Sequence, residues 1–236
     1  MTHRVAIMQP YLFPYLGYLQ LIAAVDQFVL HDDVQYIYQG WVNRNRILIA
    51  GKVEFITFPI RKAAHTLHIN QRTLAANARS ERLKILRRII AAYAKAPYFN
   101  DCFPVIEAAI ESPEANLAAY ARNGIQRVCD YLRIATPIID SSSLQIGADL
   151  VAQERVIAIV HRLHGDVYIN PIGGLDLYQS QEFHTRGIKL LFHKMDDIRY
   201  PQFGAHFEPA LSIIDVMMFN DVEAIRNKLS CYSLQA

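Results

Sequence analysis

The stretch that decides the fold is residues 5–31, which read VAIMQPYLFPYLGYLQLIAAVDQFVLH. Val5 to Met8 has the short apolar character of a buried strand, and Leu19 to Val25 is predicted to form a helix. A second apolar strand is predicted for Asp26 to His31. A strand, a helix and a strand in this order form a βαβ unit with parallel strands. The sequence therefore predicts an α/β fold.

The turn between the first strand and the helix is crowded with tyrosine and phenylalanine. Pro10 and Pro14 fix the backbone and remove two N–H donors, while Gly17 permits close packing. Open α/β sheets bind ligands outside the carboxyl ends of their strands, which is where this turn lies. The turn therefore predicts a recognition site; the alternative is that its aromatic side chains fill the first layer of the core.

The rest of the chain adds a hairpin and a group of helices to this pattern. Asn45 to Ile49 and Val53 to Phe58 predict a β-hairpin that extends the sheet or covers its edge. Residues 80–135 predict a helical insert, with one helix starting at Ser112 to Glu114. Further strands are predicted at Pro137 to Ile139, Asp166 to Ile169 and Ile188 to Phe192, and further helices at Ala148 to Leu163, Tyr178 to Thr185 and Leu211 to Leu229, the last with a possible break at Asn220-Asp221. We expect one Rossmann-like domain over residues 1–236, with a mainly parallel sheet flanked by helices.

Composition excludes several classes of protein. The chain has 236 residues, of which 52% are hydrophobic, so it can bury a full core. It has neither a signal peptide nor an apolar run of about 18 residues, so we expect a cytoplasmic protein without a membrane span. Its three cysteines lack C-x-x-C spacing, its histidine pairs lack carboxylates at metal spacing, and its net charge is +2. We therefore predict no disulfide, no metal and no nucleic-acid partner.

Charged side chains follow the second strand and continue into the hairpin. Asp32 and Asp33 are adjacent, so they point to opposite sides if the strand continues, and one of them faces the ligand cleft. Arg44 and Arg46 share one face by their period of two, and paired guanidinium groups suit a phosphate or a carboxylate. The alternative is that one of the two aspartates pairs with one of these arginines and ties the hairpin to the sheet.

Two later segments also carry polar groups. Residues 168–174, YINPIGG, run from a strand into a glycine pair before a helix. This leaves backbone N–H groups free to hold an anion, unless the segment is only a tight turn. Ser212 and Asp215 are three residues apart at the start of the last helix, which predicts a capping pair.

Five segments occur in one order along the chain: residues 8–18 (MQPYLFPYLGY), 32–36 (DDVQY), 41–46 (WVNRNR), 168–171 (YINP) and 211–215 (LSIID). Their order and spacing resemble the WbqC-like protein family over nearly the whole chain. The resemblance implies a bacterial protein of O-antigen, other surface-polysaccharide or specialised-metabolite biosynthesis, often alongside amino-sugar pathways. The substrate-binding candidates are Gln9, Tyr11, Gly17, Gln35, Tyr36, Trp41, Asn43, Arg44, Asn45, Arg46, Asn170, Gly173, Gly174, Tyr178, Ser212 and Asp215.

The family context implies a small-molecule transferase. In this hypothesis an activated acyl or aminoacyl group, with a carrier-bound donor as one option, is joined to the amine of a nucleotide-linked amino sugar. Asp32 or Asp33 accepts the proton of the amine, Tyr15 and Tyr18 orient the donor, and the two arginines of the hairpin bind phosphate. The identity of any cofactor is left open.

Two other functions remain open at this point. Residues 15–18, YLGY, occupy the place where nucleotidylyltransferases carry His-x-Gly-His, which is a similarity of fold. Tyrosine donates a hydrogen bond to a phosphoryl oxygen but does not bring the positive charge of a histidine. The second alternative is a non-catalytic protein that binds a sugar nucleotide.

Overall fold

The computed structural model describes residues 2–147, 149–204 and 206–236. The strands in these ranges are β1 (Arg4–Met8), β2 (Gln27–Leu30), β3 (Arg44–Ile49), β4 (Lys52–Thr57), β5 (Ile138–Asp140), β6 (Val167–Pro171), β7 (Lys189–Met195) and β8 (Tyr232–Gln235). The α-helices are α1 (Leu16–Ala23), α2 (Ala78–Tyr93), α3 (Phe99–Ile110), α4 (Leu117–Tyr131), α5 (Ala152–Arg162), α6 (Ser180–Thr185), α7 (Ile213–Phe219) and α8 (Val222–Lys228). The α/β prediction is confirmed. No helix in the described ranges combines the length and the apolar character needed to cross a membrane.

The main sheet has the strand order β5-β2-β1-β6-β7-β8 within the described residues. Neighbouring strands are parallel, except that β8 runs antiparallel to β7. The chain builds the sheet outward from β1 to β2 and β5, and later from β6 to β7 on the other side. The strand order therefore reverses between β1 and β6, which makes their carboxyl ends the topological switch point of the sheet.

Each face of the sheet packs against its own set of helices. Ala6 and Phe28 point into the larger core, which includes α1, α3, α4 and α7. Val5 and Val29 point to the opposite face, where they pack against α5 and against Phe183 of α6. This alternation is the two-residue period of a strand that is buried on both faces. Because α1 follows β1 and α6 follows β6, the chain leaves the two strands toward opposite faces and opens a crevice between them.

The predicted hairpin is present, but it does not extend the main sheet. Its strands β3 and β4 pair from Arg44 opposite Thr57 to Ile49 opposite Lys52 and form a separate two-stranded sheet. The inner side chains Ile47 and Ile56 are fully buried in the larger core. The hairpin packs by its face rather than by its edge, because this apolar face is covered by helices.

Several helix boundaries differ from the prediction. Helix α4 starts at Leu117 instead of at Ser112 to Glu114, because Asn116 forms a bridge with Thr73 and caps the helix with its side chain. The last predicted helix is broken where expected, into α7 and α8. The helix predicted to begin at Ala148 begins at Ala152, and Ala148 itself lies outside the described residues. Strand β8 was not predicted from the sequence.

The predicted capping pair at the last helix is only half correct. The Ser212 hydroxyl accepts a hydrogen bond from the backbone N–H of Ile214 at 3.2 Å and caps α7. The Asp215 carboxylate instead accepts hydrogen bonds from side chains outside the helix. Helices α2, α3 and α4 occupy the region of the predicted helical insert, and its place within a single domain stays a prediction.

Candidate functional site

A cavity of about 470 Å³ lies at the topological switch point. Its walls come from the end of β1 and the turn after it, from the turn after β6, from the hairpin and from the segment before α7. The lining residues are Met8, Tyr11, Tyr15, Trp41, Asn45, Arg46, Gly173 and Ala210. A cavity of this size holds one small organic molecule. A larger groove of about 640 Å³ follows the outer side of α5, but its His164 and Arg186 lie near the amino ends of the strands, away from the switch point.

The turn after β1 is clamped from two sides. The Asn45 side-chain amide donates to the backbone carbonyls of Leu12 and Phe13, at 3.3 and 2.6 Å. The Ser212 hydroxyl donates to the same Phe13 carbonyl at 2.8 Å. Phe13 has a φ of +47°, a conformation that a bulky residue adopts only under such restraint. Asn45 and Ser212 therefore hold the backbone of the site with their side chains.

Two tyrosines of this turn face the cavity. In the described part of the chain, no hydrogen bond uses the hydroxyl of Tyr11 or Tyr15. Burial raises the pKa of both phenols, so both are neutral at physiological pH. Their hydroxyls are therefore available to donate hydrogen bonds to a ligand.

Gly17 determines the position of the Tyr15 ring. A Cβ atom at position 17 would lie 2.5 Å from Cε2 of that ring, which is shorter than the closest contact between two non-bonded carbon atoms. Tyr18 is 1% exposed, and its hydroxyl donates to the Gln9 carbonyl at 2.8 Å. Tyr18 therefore supports the backbone at Gln9 and does not line the cavity.

The hairpin supplies an aromatic ring and two guanidinium groups. The guanidinium carbons of Arg44 and Arg46 lie 6.0 and 5.5 Å from the centre of the Trp41 ring. Arg44 is held by the Gly40 carbonyl at 3.1 Å and does not line the cavity. Arg46 donates through Nη2 to the Ala210 carbonyl at 2.9 Å, and its buried Nε has no hydrogen-bond partner among the described residues. Arg46 is therefore the cation that the cavity presents to a ligand.

The two adjacent aspartates form a separate cluster at the same edge of the sheet. Asp32 is buried, and its carboxylate accepts hydrogen bonds from Ser142 N–H at 2.9 Å, Ser142 Oγ at 2.6 Å, Ser141 Oγ at 3.1 Å and Asn70 Nδ2 at 3.2 Å. These bonds fasten the end of β2 to the turn after β5. All its acceptor positions are thus used within the chain.

Asp33 forms an ion pair with Arg155 of α5 and also accepts a hydrogen bond from Ser141. The side chains of Asp33 and Arg155 are 18% and 10% exposed. The alternative in which an aspartate pairs with Arg44 or Arg46 is therefore wrong. The sequence did not identify Arg155 as a residue of this cluster. The serines at 141–143, which come soon after the predicted strand Pro137 to Ile139, did indicate polar side chains at this edge of the sheet.

Other candidate residues bind to one another near the cavity. Tyr36 donates its hydroxyl to Asn43 at 2.7 Å, and Asn43 donates to the Phe58 carbonyl at 2.7 Å. Together they join the loop after β2 to the end of the hairpin. The Gln35 amide donates to the His65 carbonyl at 3.2 Å on the protein surface.

The turn after β6 has a similar internal arrangement. Asn170 accepts a hydrogen bond from the Tyr168 hydroxyl at 2.9 Å, and the Tyr178 hydroxyl lies 3.4 Å from the same group. A Cβ atom on Gly174 would lie 2.0 Å from Asn170 Nδ2, so this approach requires glycine. Among the described residues of this turn, Gly173 alone lines the cavity.

A buried carboxylate lies behind the hairpin. Asp215 is 0% exposed and accepts hydrogen bonds from Tyr93 and Tyr200, both at 2.8 Å, and from Gln202 at 2.7 Å. The Tyr93 hydroxyl in turn accepts the backbone N–H of Leu48 at 2.9 Å. Burial raises the pKa of Asp215, and the three donors oppose that effect. The network joins α7, α2 and β3, so Asp215 stabilises the wall of the site.

Comparison with known proteins identifies the family. The model of the WbqC-like protein family matches residues 9–227, which include all the lining residues of the cavity named above except Met8. The chain belongs to the WbqC-like protein family. This WbqC-like chain is also 27% identical, over 223 residues, to the uncharacterized protein Rv1507c of Mycobacterium tuberculosis (strain ATCC 25618 / H37Rv), covering 94% of the chain and 95% of that protein. No solved structure matches the chain.

Proposed function

We propose that this WbqC-like protein is a cytoplasmic small-molecule transferase of bacterial surface-polysaccharide or specialised-metabolite biosynthesis. It joins an acyl or aminoacyl group to the amine of a nucleotide-linked amino sugar. The observation that carries the proposal is the cavity at the switch point, which combines three aromatic side chains with one guanidinium group. The pathway and the reaction class rest on the family resemblance.

The lining of the cavity suits a sugar linked to a nucleotide. Trp41, Tyr11 and Tyr15 offer aromatic surfaces on which a base or the apolar face of a sugar ring packs. Arg46 lines the same cavity, its Nε–H has no partner among the described residues, and guanidinium groups bind phosphate through parallel hydrogen bonds. In this proposal the diphosphate lies at Arg46 and the sugar extends toward the two tyrosines.

The charge distribution also favours an anionic ligand. Between Val34 and Ser80 the chain carries seven lysine or arginine side chains and one carboxylate, Glu54, although its total charge is only +2. This segment includes Trp41 and Arg46 of the cavity wall. A local excess of positive charge attracts a negatively charged substrate and raises its association rate.

In the proposed reaction the sugar amine attacks the carbonyl carbon of an activated ester or thioester. The new bond between nitrogen and the acyl carbon replaces the bond from that carbon to the oxygen or sulfur of the donor, which leaves with the electron pair and takes up the proton of the amine as an alcohol or a thiol. The neutral hydroxyl of Tyr15 donates a hydrogen bond to the acyl oxygen, where negative charge develops. Asp32 and Asp33 position the end of β2, since both carboxylates are already bound within the chain. Their contribution to the reaction is therefore indirect.

A transfer assay tests this function. The protein is incubated with UDP-glucosamine and with either acetyl-coenzyme A or a glycyl thioester, and the masses of the products are measured by mass spectrometry. We expect UDP-glucosamine to gain the mass of the acyl group, and UDP-glucose, which has a hydroxyl in place of the amine, to remain unchanged. Release of pyrophosphate from ATP or CTP instead would support a nucleotidylyltransferase.

A second candidate function is non-catalytic binding of a sugar nucleotide. One observation favours it: among the described residues, those that line the cavity include no carboxylate, histidine or cysteine. Saturable binding of UDP-glucosamine without any product would support this candidate. The nucleotidylyltransferase alternative has less support, because Tyr18 of the YLGY segment is buried and bound to the Gln9 carbonyl.

Replacing Gly17 with alanine is expected to weaken ligand binding about tenfold, an effect of about 1.4 kcal/mol. The new methyl group displaces the Tyr15 ring, which lies 2.5 Å from the position of the added atom. Alanine itself favours a helix by about 1 kcal/mol, so a loss of binding is not explained by unfolding of α1. Calorimetric titration with UDP-glucosamine measures the effect. Ala23→Ser is the control, because Ala23 is an exposed residue of the same helix and is not among the lining residues of the cavity. Equal affinity in wild type and Gly17→Ala would show that the ligand does not contact Tyr15.

A further inference from the structure

The hairpin has a second face, which points away from the larger core. Because side chains alternate along a strand, the outer hairpin face, opposite the buried Ile47 and Ile56, carries Arg44, Arg46 and Leu48 of β3 and Val53, Phe55 and Thr57 of β4. Leu48 is buried, whereas Val53 and Phe55 are 38% and 43% exposed. Arg46 also lines the cavity, so this face adjoins the candidate site.

Exposed apolar side chains are concentrated on the outer hairpin face and on the loop before it. Among the described residues, twelve large apolar side chains are exposed, and five of them lie here: Ile37, Tyr38, Trp41, Val53 and Phe55. The rings of Trp41 and Phe55 pack together, with their centres 6.0 Å apart. Exposed apolar surface of this kind marks a site of interaction.

Arg44 joins the loop to the outer hairpin face. Its guanidinium donates to the carbonyls of Gln39 and Gly40, and its Cζ lies 4.5 Å from the centre of the Phe55 ring. In the described part of the chain, neither Arg44 nor Arg46 forms an ion pair with a carboxylate. The positive charge of this face is therefore not neutralised within the described chain.

The sequence around this face is also basic. Residues 37–62 carry five lysine or arginine side chains and one carboxylate, Glu54. Glu54 pairs with Arg88 of α2 at 2.6 Å, so its charge is already compensated. Apolar side chains beside uncompensated positive charge are complementary to a protein surface that is apolar at its centre and acidic around it.

These features favour a protein over a nucleic acid or a membrane. Single-stranded nucleic acids bind by stacking bases on aromatic rings, and the aliphatic side chains of Ile37 and Val53 offer no such surface. Cations that bind membranes reach the headgroups through flexible stems, whereas Arg44 is held by two carbonyls and an aromatic ring. Fixed arginine, tryptophan and tyrosine side chains are typical of the residues that dominate protein interfaces.

We propose that the outer hairpin face docks a small acidic carrier protein that delivers the acyl group as a thioester. The inference rests on the proposed function and names its donor. A carrier protein holds the acyl group at the end of a flexible prosthetic arm, so the arm enters the adjoining cavity while the protein stays outside. The thiol of the arm is the leaving group: it takes the electron pair of the broken carbon–sulfur bond and the proton of the sugar amine.

The test compares two donors in the transfer to UDP-glucosamine: acetylated bacterial acyl carrier protein and acetyl-coenzyme A. Val53→Glu places a carboxylate on the face without touching the cavity lining. We expect it to raise KM for the carrier protein about tenfold or more by charge repulsion, with kcat and the KM for acetyl-coenzyme A within about threefold of wild type. Val53→Lys should keep the low KM for the carrier protein. Val151→Glu, at an exposed valine just before α5, is the matched control and should change none of these values.

An unchanged KM for the carrier protein in Val53→Glu would overturn the inference and leave the proposed function standing. An equal rise for both donors would also overturn it, because the substitution would then act on the cavity. Fluorescence anisotropy of labelled carrier protein tests docking without turnover: we expect saturable binding that weakens with salt and is lost in Val53→Glu. Such binding without any transfer would remove the proposed function and keep the docking face. Binding of phosphatidylglycerol vesicles or of RNA in place of the carrier protein, or self-association that Val53→Glu abolishes, would contradict the inference.

Discussion

Asp215→Ala is expected to lower the free energy of unfolding by about 3–5 kcal/mol. The carboxylate is fully buried and accepts hydrogen bonds from Tyr93, Tyr200 and Gln202. Alanine leaves these three donors without their acceptor and leaves a small cavity among them. Each buried donor without a partner costs about 1–3 kcal/mol, and partial rearrangement makes the total smaller than the sum.

Urea unfolding of the wild type and of Asp215→Ala measures this difference in the free energy of unfolding. Asp176→Ala is the matched control, because Asp176 is exposed and lies in the turn after β6. The control should change stability by less than about 0.5 kcal/mol. A loss of less than about 1 kcal/mol in Asp215→Ala would contradict a structural role for the network. Asp215→Asn retains the shape and one oxygen, so we expect an intermediate loss.

Arg46→Ala is expected to weaken the binding of UDP-glucosamine by about 100-fold, or about 2.7 kcal/mol. Arg46 lines the cavity, its Nε has no hydrogen-bond partner among the described residues, and its Nη2 donates to the Ala210 carbonyl at 2.9 Å. The arginine is therefore held in place before the ligand arrives and loses little side-chain freedom on binding. Alanine removes the charge and the parallel donors that a diphosphate requires.

Calorimetric titrations at constant salt give the affinities. Arg88→Ala is the control, since Arg88 pairs with Glu54 of the hairpin at 2.6 Å and does not line the cavity. Titration with UDP and with uridine separates the phosphate contact from the stacking contact. We expect Arg46→Ala to lose affinity for UDP and not for uridine. Equal losses for both ligands would place the phosphates away from Arg46.

The sequence predicted those parts of the site whose structure depends on the residue pattern within one short segment. The βαβ unit of residues 5–31 follows from apolar periodicity, and it places the tyrosine-rich turn at the carboxyl edge of the sheet. Side chains alternate between the two faces of a strand, so Arg44 and Arg46 lie on the same face of the hairpin, and both guanidinium groups lie close to the Trp41 ring. Spacing within one element was enough for these conclusions.

Contacts between distant segments could not be predicted in the same way. Asp33 is 122 residues from Arg155, and Ser212 is 199 residues from the Phe13 carbonyl that it holds. The sequence showed that these residues are polar and near strand or helix ends, but not which groups they bind. Asp32 was therefore a catalytic candidate, and Asn45 and Asp215 were substrate-binding candidates; the structure adds that all three side chains form hydrogen bonds within the chain. Strand β8 was missed because Tyr232 to Gln235 is short and largely exposed.

The central claim is that the cavity at the switch point binds a nucleotide-linked amino sugar. Trp41 is the single tryptophan of the sequence, and it lines that cavity, so its fluorescence reports on this site alone. Titration of the wild-type protein with UDP-glucosamine should change the Trp41 emission in a saturable way, with the same Kd that calorimetry gives. Binding detected by calorimetry without any change in Trp41 emission would place the ligand elsewhere and contradict the account.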